Sequence, residues 1–202
     1  GAGNDIIKGV AGNNKLYGGD GNDTIYSGTG DDLIDGGTGE NSVHYGEATS
    51  GVTVDLSNSL AQTVGGGMGV DTLVDIQNVN TGAGNDTIWG SSTTNVINSG
   101  AGSDTIFANA GNNTIYAGSG VDIIYGGTDV DSIYTQDGND SIVASAGADI
   151  IDGGADIDLV DYSSSSTGIN LTLLNDGATV SVSHNIGGVA SDSLTNIEGI
   201  KG

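Results

Sequence analysis

Residues 81–161 divide without a gap into nine nonapeptides: TGAGNDTIW (81–89), GSSTTNVIN (90–98), SGAGSDTIF (99–107), ANAGNNTIY (108–116), AGSGVDIIY (117–125), GGTDVDSIY (126–134), TQDGNDSIV (135–143), ASAGADIID (144–152) and GGADIDLVD (153–161). The eighth position is aliphatic in every unit, from Ile88 through Ile97, Ile106, Ile115, Ile124, Ile133, Ile142 and Ile151 to Val160. The sixth is always Asp or Asn. A shorter array precedes it: GAGNDIIK (1–8), GVAGNNKLY (9–17), GGDGNDTIY (18–26), SGTGDDLID (27–35) and GGTGENSVH (36–44), its first unit one residue short. Across all fourteen units the fourth position is Gly in eleven, with Thr93, Asp129 and Asp156 the exceptions.

The unit dictates its own structure. Positions seven to nine make a very short strand, with the aliphatic residue inward and its neighbours outward. Positions one to six make a Gly-rich turn that needs residues tolerant of positive φ. Two units close one flattened coil, so units eighteen residues apart stack on the same edge.

This pattern resembles the RTX (repeats-in-toxin) proteins, whose nonapeptide G-G-x-G-x-D-x-U-x carries a large apolar residue at U. The resemblance spans residues 1–44 and 81–161. It implies an all-β fold, a right-handed parallel β-roll or β-helix solenoid of stacked turns. It implies Ca²⁺ between stacked turns, held by sixth-position Asp residues and turn carbonyls, and secretion through a type I system. RTX arrays occur in toxins, proteases, lipases, alginate epimerases, surface-layer proteins and giant adhesins.

The chemistry of the residues agrees with that expectation. Ca²⁺ is a hard ion that takes six to eight oxygens from carboxylates and carbonyls. The expected metal ligands are Asp5, Asp23, Asp32, Asp86, Asp104, Asp122, Asp131, Asp140, Asp149 and Asp158. On one edge of the longer array Asp86, Asp104, Asp122, Asp140 and Asp158 give four slots of two carboxylates each. The other edge reads Asn95, Asn113, Asp131, Asp149, and only its last slot is fully acidic. In the first array Asp5, Asp23 and Asn41 share an edge, with Asn14 and Asp32 opposite. About six ions or more are expected, in the slots that pair Asp with Asp. Asn95 and Asn113 read as a metal-free hydrogen-bonded ladder. Asp158 should serve a single slot unless the segment after it supplies another.

Charge points the same way. Lys plus Arg number 3 and Asp plus Glu 26, a formal net charge of −23. Such a chain repels itself and is expected to stay unfolded until cations neutralise it. Nucleic acid and anionic membranes are poor partners. There are 38 Gly, no Pro and no Cys, so disulfides and thiolate metal sites are excluded. No apolar run approaches a membrane-spanning helix, and no signal peptide is visible. Both ends lie in repeat-like text, so the chain reads as part of something longer.

Residues 45–80 and 162–202 are not nonapeptides, yet they match each other. Tyr45 and Tyr162 follow equivalent units, SGVTVDL (50–56) matches TGINLTL (167–173), and DTLVDIQNV (71–79) matches DSLTNIEGI (192–200). Alternation at Val52, Val54 and Leu56, and at Ile169, Leu171 and Leu173, predicts strands. Both segments are expected to be wider rungs of one continuous solenoid; the alternative is a flap covering one face. Trp89, Phe107 and Tyr125, and Tyr116 and Tyr134, form outward columns that stack between rungs.

No H-E-x-x-H, G-x-S-x-G or Walker A motif is present, and His44 and His184 lack ligand spacing. VGGGMGVD (64–71) resembles a phosphate loop but lacks its Lys. The chain therefore reads as a non-catalytic calcium-binding segment of a secreted or cell-surface bacterial protein, such as an adhesin. Its partners would be calcium ions, neighbouring repeats and an unidentified surface or glycan ligand. The alternative is an accessory repeat module of an extracellular protease, lipase or epimerase. Ice binding is a weaker reading, because pairs such as Ala83/Asn85, Ser92/Thr94 and Ser119/Val121 are too irregular for a flat row.

Overall fold

The computed structural model describes residues 1–173 and 179–202, with the backbone alone at Leu173. Among the described residues there are strands and no helix. Within the arrays alternate strands join one long sheet, which both longer segments extend. Its order is Ile6–Lys8, Thr24–Tyr26, Ser42–His44, Asn78–Asn80, Val96–Ala101, Thr114–Ser119, Ser132–Asp137, Ile150–Asp152, Val189–Thr195, Thr179–Asn185 and Asn170–Leu173. The alternate strands form two further sheets. One contains Lys15–Asp20, Leu33–Thr38, Val70–Val74 and Gln62–Thr63. The other runs from Thr53–Asp55 through Thr87–Trp89, Thr105–Phe107, Ile123–Tyr125, Ser141–Val143 and Leu159–Asp161 to Gly199–Lys201. The protein is thus a parallel β-solenoid.

The eighth-position column fixes the register. Ile88 pairs with Ile106, then Ile124, Ile142 and Val160. Ile97 pairs with Ile115, Ile133 and Ile151 on the opposite face. All nine are at most 1% exposed. A one-residue slip would turn the whole column outward, so the pattern specifies the stacking.

The two longer segments feed the same core. Val79 lies between Val43 and Ile97, Leu73 pairs with Ile34, and Val54 pairs with Ile88. In the second copy Leu194 pairs with Ile151, and Ile200 with Val160. Each segment also adds antiparallel strands, which nonapeptide logic does not anticipate. Thr179–Asn185 runs antiparallel to both Asn170–Leu173 and Val189–Thr195. Gln62–Thr63 runs antiparallel to Val70–Val74. The reversal in the first copy uses Gly65, Gly66 and Gly67, with φ of 83°, 58° and 86°, and the Met68 amide donates to the Gly65 carbonyl. The stretch that resembles a phosphate loop is therefore a hairpin turn, pinned by the buried Met68 side chain.

The turns are also shorter than the nonapeptide suggests. In Val96–Ala101, Thr114–Ser119 and Ser132–Asp137 the strand continues through position three of the next unit. Pairing there satisfies backbone groups that an open turn would leave to water. Where Gly is missing from the fourth position, Asp129 (74°) and Asp156 (81°) still take positive φ, whereas Thr93 does not. The aromatic columns stack as expected, with ring centroids 5.5 Å apart for Trp89–Phe107, 4.7 Å for Phe107–Tyr125 and 5.2 Å for Tyr116–Tyr134.

Candidate metal centre

The sixth-position side chains point into the turns, not into solvent. Asp23, Asp32, Asp86, Asp104, Asp122, Asp131, Asp140, Asp149 and Asp158 are at most 2% exposed. Asp5, in the first rung, is less buried, with Oδ2 3.3 Å from the Gly1 amine. Stacking turns these residues into ladders. The amide of Asp86 donates to Oδ1 of Asp104, Asp104 to Asp122, Asp122 to Asp140, and Asp140 to Asp158, at 2.7–2.9 Å. On the other edge Asp5 donates to Asp23, Asn113 to Asp131, and Asp131 to Asp149, at 2.7–2.9 Å. Asn14 donates to Asp32 at 2.7 Å.

In eight of these residues one carboxylate oxygen is used and the other is not, whereas Asp149 Oδ2 accepts the Ser145 hydroxyl at 3.1 Å. Oδ2 of Asp23, Asp32, Asp86, Asp104, Asp122, Asp131, Asp140 and Asp158 is buried with no hydrogen-bond partner. The nearby hydroxyls of Thr81, Ser99 and Thr135 donate instead to the carbonyls of Ser99, Ala117 and Gly153. A buried anionic oxygen without a donor is strongly unfavourable, and a cation is the partner that removes the penalty. The first position of the turn brings carbonyls to the same place. A Cβ added to Gly18 would lie 2.2 Å from Asp23 Oδ2 and 2.4 Å from the Gly36 carbonyl oxygen. A Cβ on Gly153 would lie 2.5 Å from Asp158 Oδ2 and 2.2 Å from the Asn196 carbonyl oxygen.

Protonation reports the same frustration. Burial, reinforced by carboxylates of neighbouring rungs, lifts Asp122 and Asp131 to about 7 and Asp158 to about 6. Burial lifts Asp149 to about 6, with Asp192 adding to the shift. Asp86, Asp104 and Asp140 are raised for the same first reason. Among the described residues no three His, Cys, Asp or Glu side chains form one cluster. The slots that pair Asp with Asp offer two carboxylates each and must complete an oxygen shell with carbonyls. That donor set suits Ca²⁺, not a softer metal.

The Asn slot is built differently. Asn95 donates through Nδ2 to the Gln77 carbonyl and the Ser91 hydroxyl, and accepts the Ser91 amide at Oδ1. Asn113 Oδ1 accepts the Asn95 amide at 2.9 Å. These contacts satisfy the side chains without a cation.

Residues outside the nonapeptides complete the ladders. Asp71 accepts the Asp32 amide, Asp192 the Asp149 amide, Gln77 the Asn41 amide and Glu198 the Asp158 amide. The sequence held a signal for them: Asp71-Thr72-Leu73 and Asp192-Ser193-Leu194 keep the spacing of positions six to eight. Glu198 means the acidic ladder does not end at Asp158. At its other end the Val52 amide donates to Asp86 Oδ1, so no carboxylate precedes Asp86.

Asp71 and Asp192 differ from the array carboxylates in one respect. The Tyr45 hydroxyl donates to Asp71 Oδ2 at 2.9 Å, and the Tyr162 hydroxyl to Asp192 Oδ2 at 2.7 Å. His184 Nε2 lies 3.1 Å from Asp192 Oδ1. Both phenols are buried, and burial beside a carboxylate keeps them protonated. In each copy a tyrosine proton occupies the oxygen that the nonapeptide turns leave free.

The family model for the RTX calcium-binding nonapeptide repeat matches residues 1–34, 23–47, 76–106, 100–133 and 125–160. Among solved structures, the extracellular lipase LipA from Serratia marcescens aligns with 22% identity and a TM-score of 0.33, over 97% of this chain and 37% of the lipase chain. The chain thus spans little more than a third of that protein's length. The comparison with curated proteins yields no match. Matched over well more than half its length by a model whose repeats bind Ca²⁺, the chain belongs to the RTX calcium-binding nonapeptide repeat family.

Proposed function

We propose that the chain is a calcium-binding structural segment of a secreted or cell-surface bacterial protein, one that folds and stiffens when it meets Ca²⁺ outside the cell. The observation that carries this reading is the row of buried Oδ2 atoms without donors. Each would be a liability in a metal-free roll and a ligand in a loaded one. The ions would sit in the Asp5/Asp23 and Asp131/Asp149 slots and in the four slots from Asp86 to Asp158. Asp158 and Glu198 would frame a further one. Asp32 would contribute with Asn14. The Asn95/Asn113 slot would stay empty. Six ions would offset about half of the charge of −23. Because the ligands come together only in the folded chain, binding free energy is folding free energy. Millimolar calcium outside the cell and scarce calcium inside would keep the segment unfolded until export.

Circular dichroism at pH 7.5, in EDTA and then in millimolar Ca²⁺, tests the proposal. The expected result is a disordered spectrum that becomes β on adding calcium. A native β spectrum in EDTA would overturn it.

A further inference from the structure

The outward face of the long sheet carries one continuous column in the ninth positions. Tyr26 pairs with His44, His44 with Asn80, Asn80 with Asn98, Asn98 with Tyr116 and Tyr116 with Tyr134. Two ring pairs thus flank two carboxamides. The Tyr26 and His44 rings lie 4.8 Å apart, and the Tyr116 and Tyr134 rings 5.2 Å. Within each pair the outer ring covers one side of the inner one. The other side of His44 borders Asn80, and the other side of Tyr116 borders Asn98. Neither Asn side chain is long enough to fill the gap that the rings leave.

The result is an open depression of about 290 Å³, lined by Ser42, His44, Asn78, Asn80, Val96 and Asn98 together with Val79. Its floor is polar and idle. Asn80 and Asn98 are half-buried, and among the described residues neither carboxamide has a hydrogen-bond partner. Asn78 is held in place, because its Oδ1 accepts the Val96 amide at 2.7 Å. Asn95 and Asn113, in the turns, provide the contrast: neighbouring protein groups occupy their amides. An unoccupied carboxamide offers a donor and an acceptor side by side.

Charge narrows the ligand. The chain carries −23, which repels polyanions. From the rung of Tyr26 to the rung of Tyr134 neither outward column holds Asp, Glu, Lys or Arg. Burial lowers the pKa of His44, so its ring is neutral at pH 7.5. Carboxamides set between apolar ring faces suit a neutral molecule rich in hydroxyls and apolar on its C–H faces, which describes a pyranose sugar. Rungs repeat at about 4.8 Å, close to the length of one pyranose in a straight β-1,4-linked chain. Beyond the Tyr116–Tyr134 pair the same column has a second depression of about 200 Å³, lined by both rings, Gln136, Asp152 and Gly154. The carboxylate there is engaged, because Asp152 Oδ1 accepts the Asn196 side-chain amide at 2.7 Å. A chain laid along the column would meet both depressions.

We propose that this column binds a straight, neutral oligosaccharide of β-1,4-linked pyranoses, with Asn80 and Asn98 bonding its hydroxyls and His44 and Tyr116 packing on its C–H faces. The site lies outside the metal turns and rests on the fold alone.

Isothermal titration calorimetry on the folded, calcium-loaded chain tests it, with circular dichroism in the same buffer as the check of folding. Cellopentaose and mannopentaose are the neutral probes. Pentamannuronate, which keeps the mannose backbone and adds carboxylates, is the charged control. A neutral probe should bind at millimolar sugar, and the charged control should not. The double variant Asn80→Ala/Asn98→Ala should weaken binding at least ~10-fold through the lost hydrogen bonds. It should leave the calcium midpoint of folding unchanged, because neither side chain has a partner in the free protein. Asn98→Tyr extends the ring stack into the depression and should abolish binding with the β spectrum intact. Failure of both neutral probes to bind the folded chain would overturn the site. So would equal binding of pentamannuronate, or neutral binding that survives Asn98→Tyr.

Discussion

The Asp104 amide donates to Oδ1 of Asp122 at 2.7 Å, while Oδ2 of Asp122 is buried without a partner. One side chain thereby ties its rung to the rung before and presents a free anionic oxygen to the turn. The first function needs an oxygen acceptor, which Asn also provides. The second needs a carboxylate. Substitution by Asn separates them.

Asp122 has carboxylates on both sides, at Asp104 and Asp140. Asp86 has one only at Asp104, because Val52 precedes it. Asp122→Asn removes a carboxylate from two slots, and Asp86→Asn from one. Loss of affinity appears as loss of stability at fixed calcium, and a central break also uncouples the rungs on either side. Asp122→Asn should therefore raise the calcium midpoint of folding more than Asp86→Asn. Calcium titrations followed by circular dichroism give both midpoints, and equal values would rule out ligands shared between slots.

Much of this architecture is legible in the repeat itself. The aliphatic eighth column set the register, and its alternation assigned Asp86 to Asp158 to one edge and Asn95 to Asp149 to the other. The inserts were harder. Their strands at Thr53–Asp55 and Asn170–Leu173 followed from alternation, but their antiparallel partners depend on which turn closes, a tertiary choice at Gly65–Gly67 and Gly187–Gly188. Glu198 and Gln77 were missed because their side chains are longer than the Asp or Asn of the repeat. The role of Tyr45 and Tyr162 is hidden in the sequence because the tyrosines lie 26 and 30 residues from the carboxylates they cap, Asp71 and Asp192.

At those two rungs the tyrosine proton is expected to take the place of an ion. Tyr45→Phe keeps the ring and removes the proton donated to Asp71, leaving Oδ2 buried and unpaired. Burial already lifts Asp71 to about 6 despite that hydrogen bond, so the variant cannot tolerate the charge better. The expected cost in saturating calcium is about 1–3 kcal/mol. The number of bound ions should not change. Chemical denaturation and equilibrium dialysis check the two halves, and a lost ion in Tyr45→Phe would show that Asp71 is a ligand after all.

The pH dependence should reverse sign with calcium. Asp122 and Asp131 are raised to about 7 in the metal-free roll, chiefly by burial, against roughly 3.9 for an unfolded Asp. A raised folded-state value means stability that is fully present below the unfolded pKa and lost as pH rises through the folded one. In EDTA, β structure should therefore be greatest near pH 4 and fade through pH 6 to 7. Calcium requires the deprotonated carboxylates, so its midpoint should instead worsen as pH falls through the same window. Asp122→Asn sharpens the test, because Asn is neutral at every pH and still accepts the Asp104 amide. In EDTA at pH 8 this variant should retain more β structure than the parent chain, whereas in calcium it should be the less stable of the two. A variant that is less structured than the parent in EDTA would mean that burying the Asp122 charge is not what keeps the metal-free roll from folding.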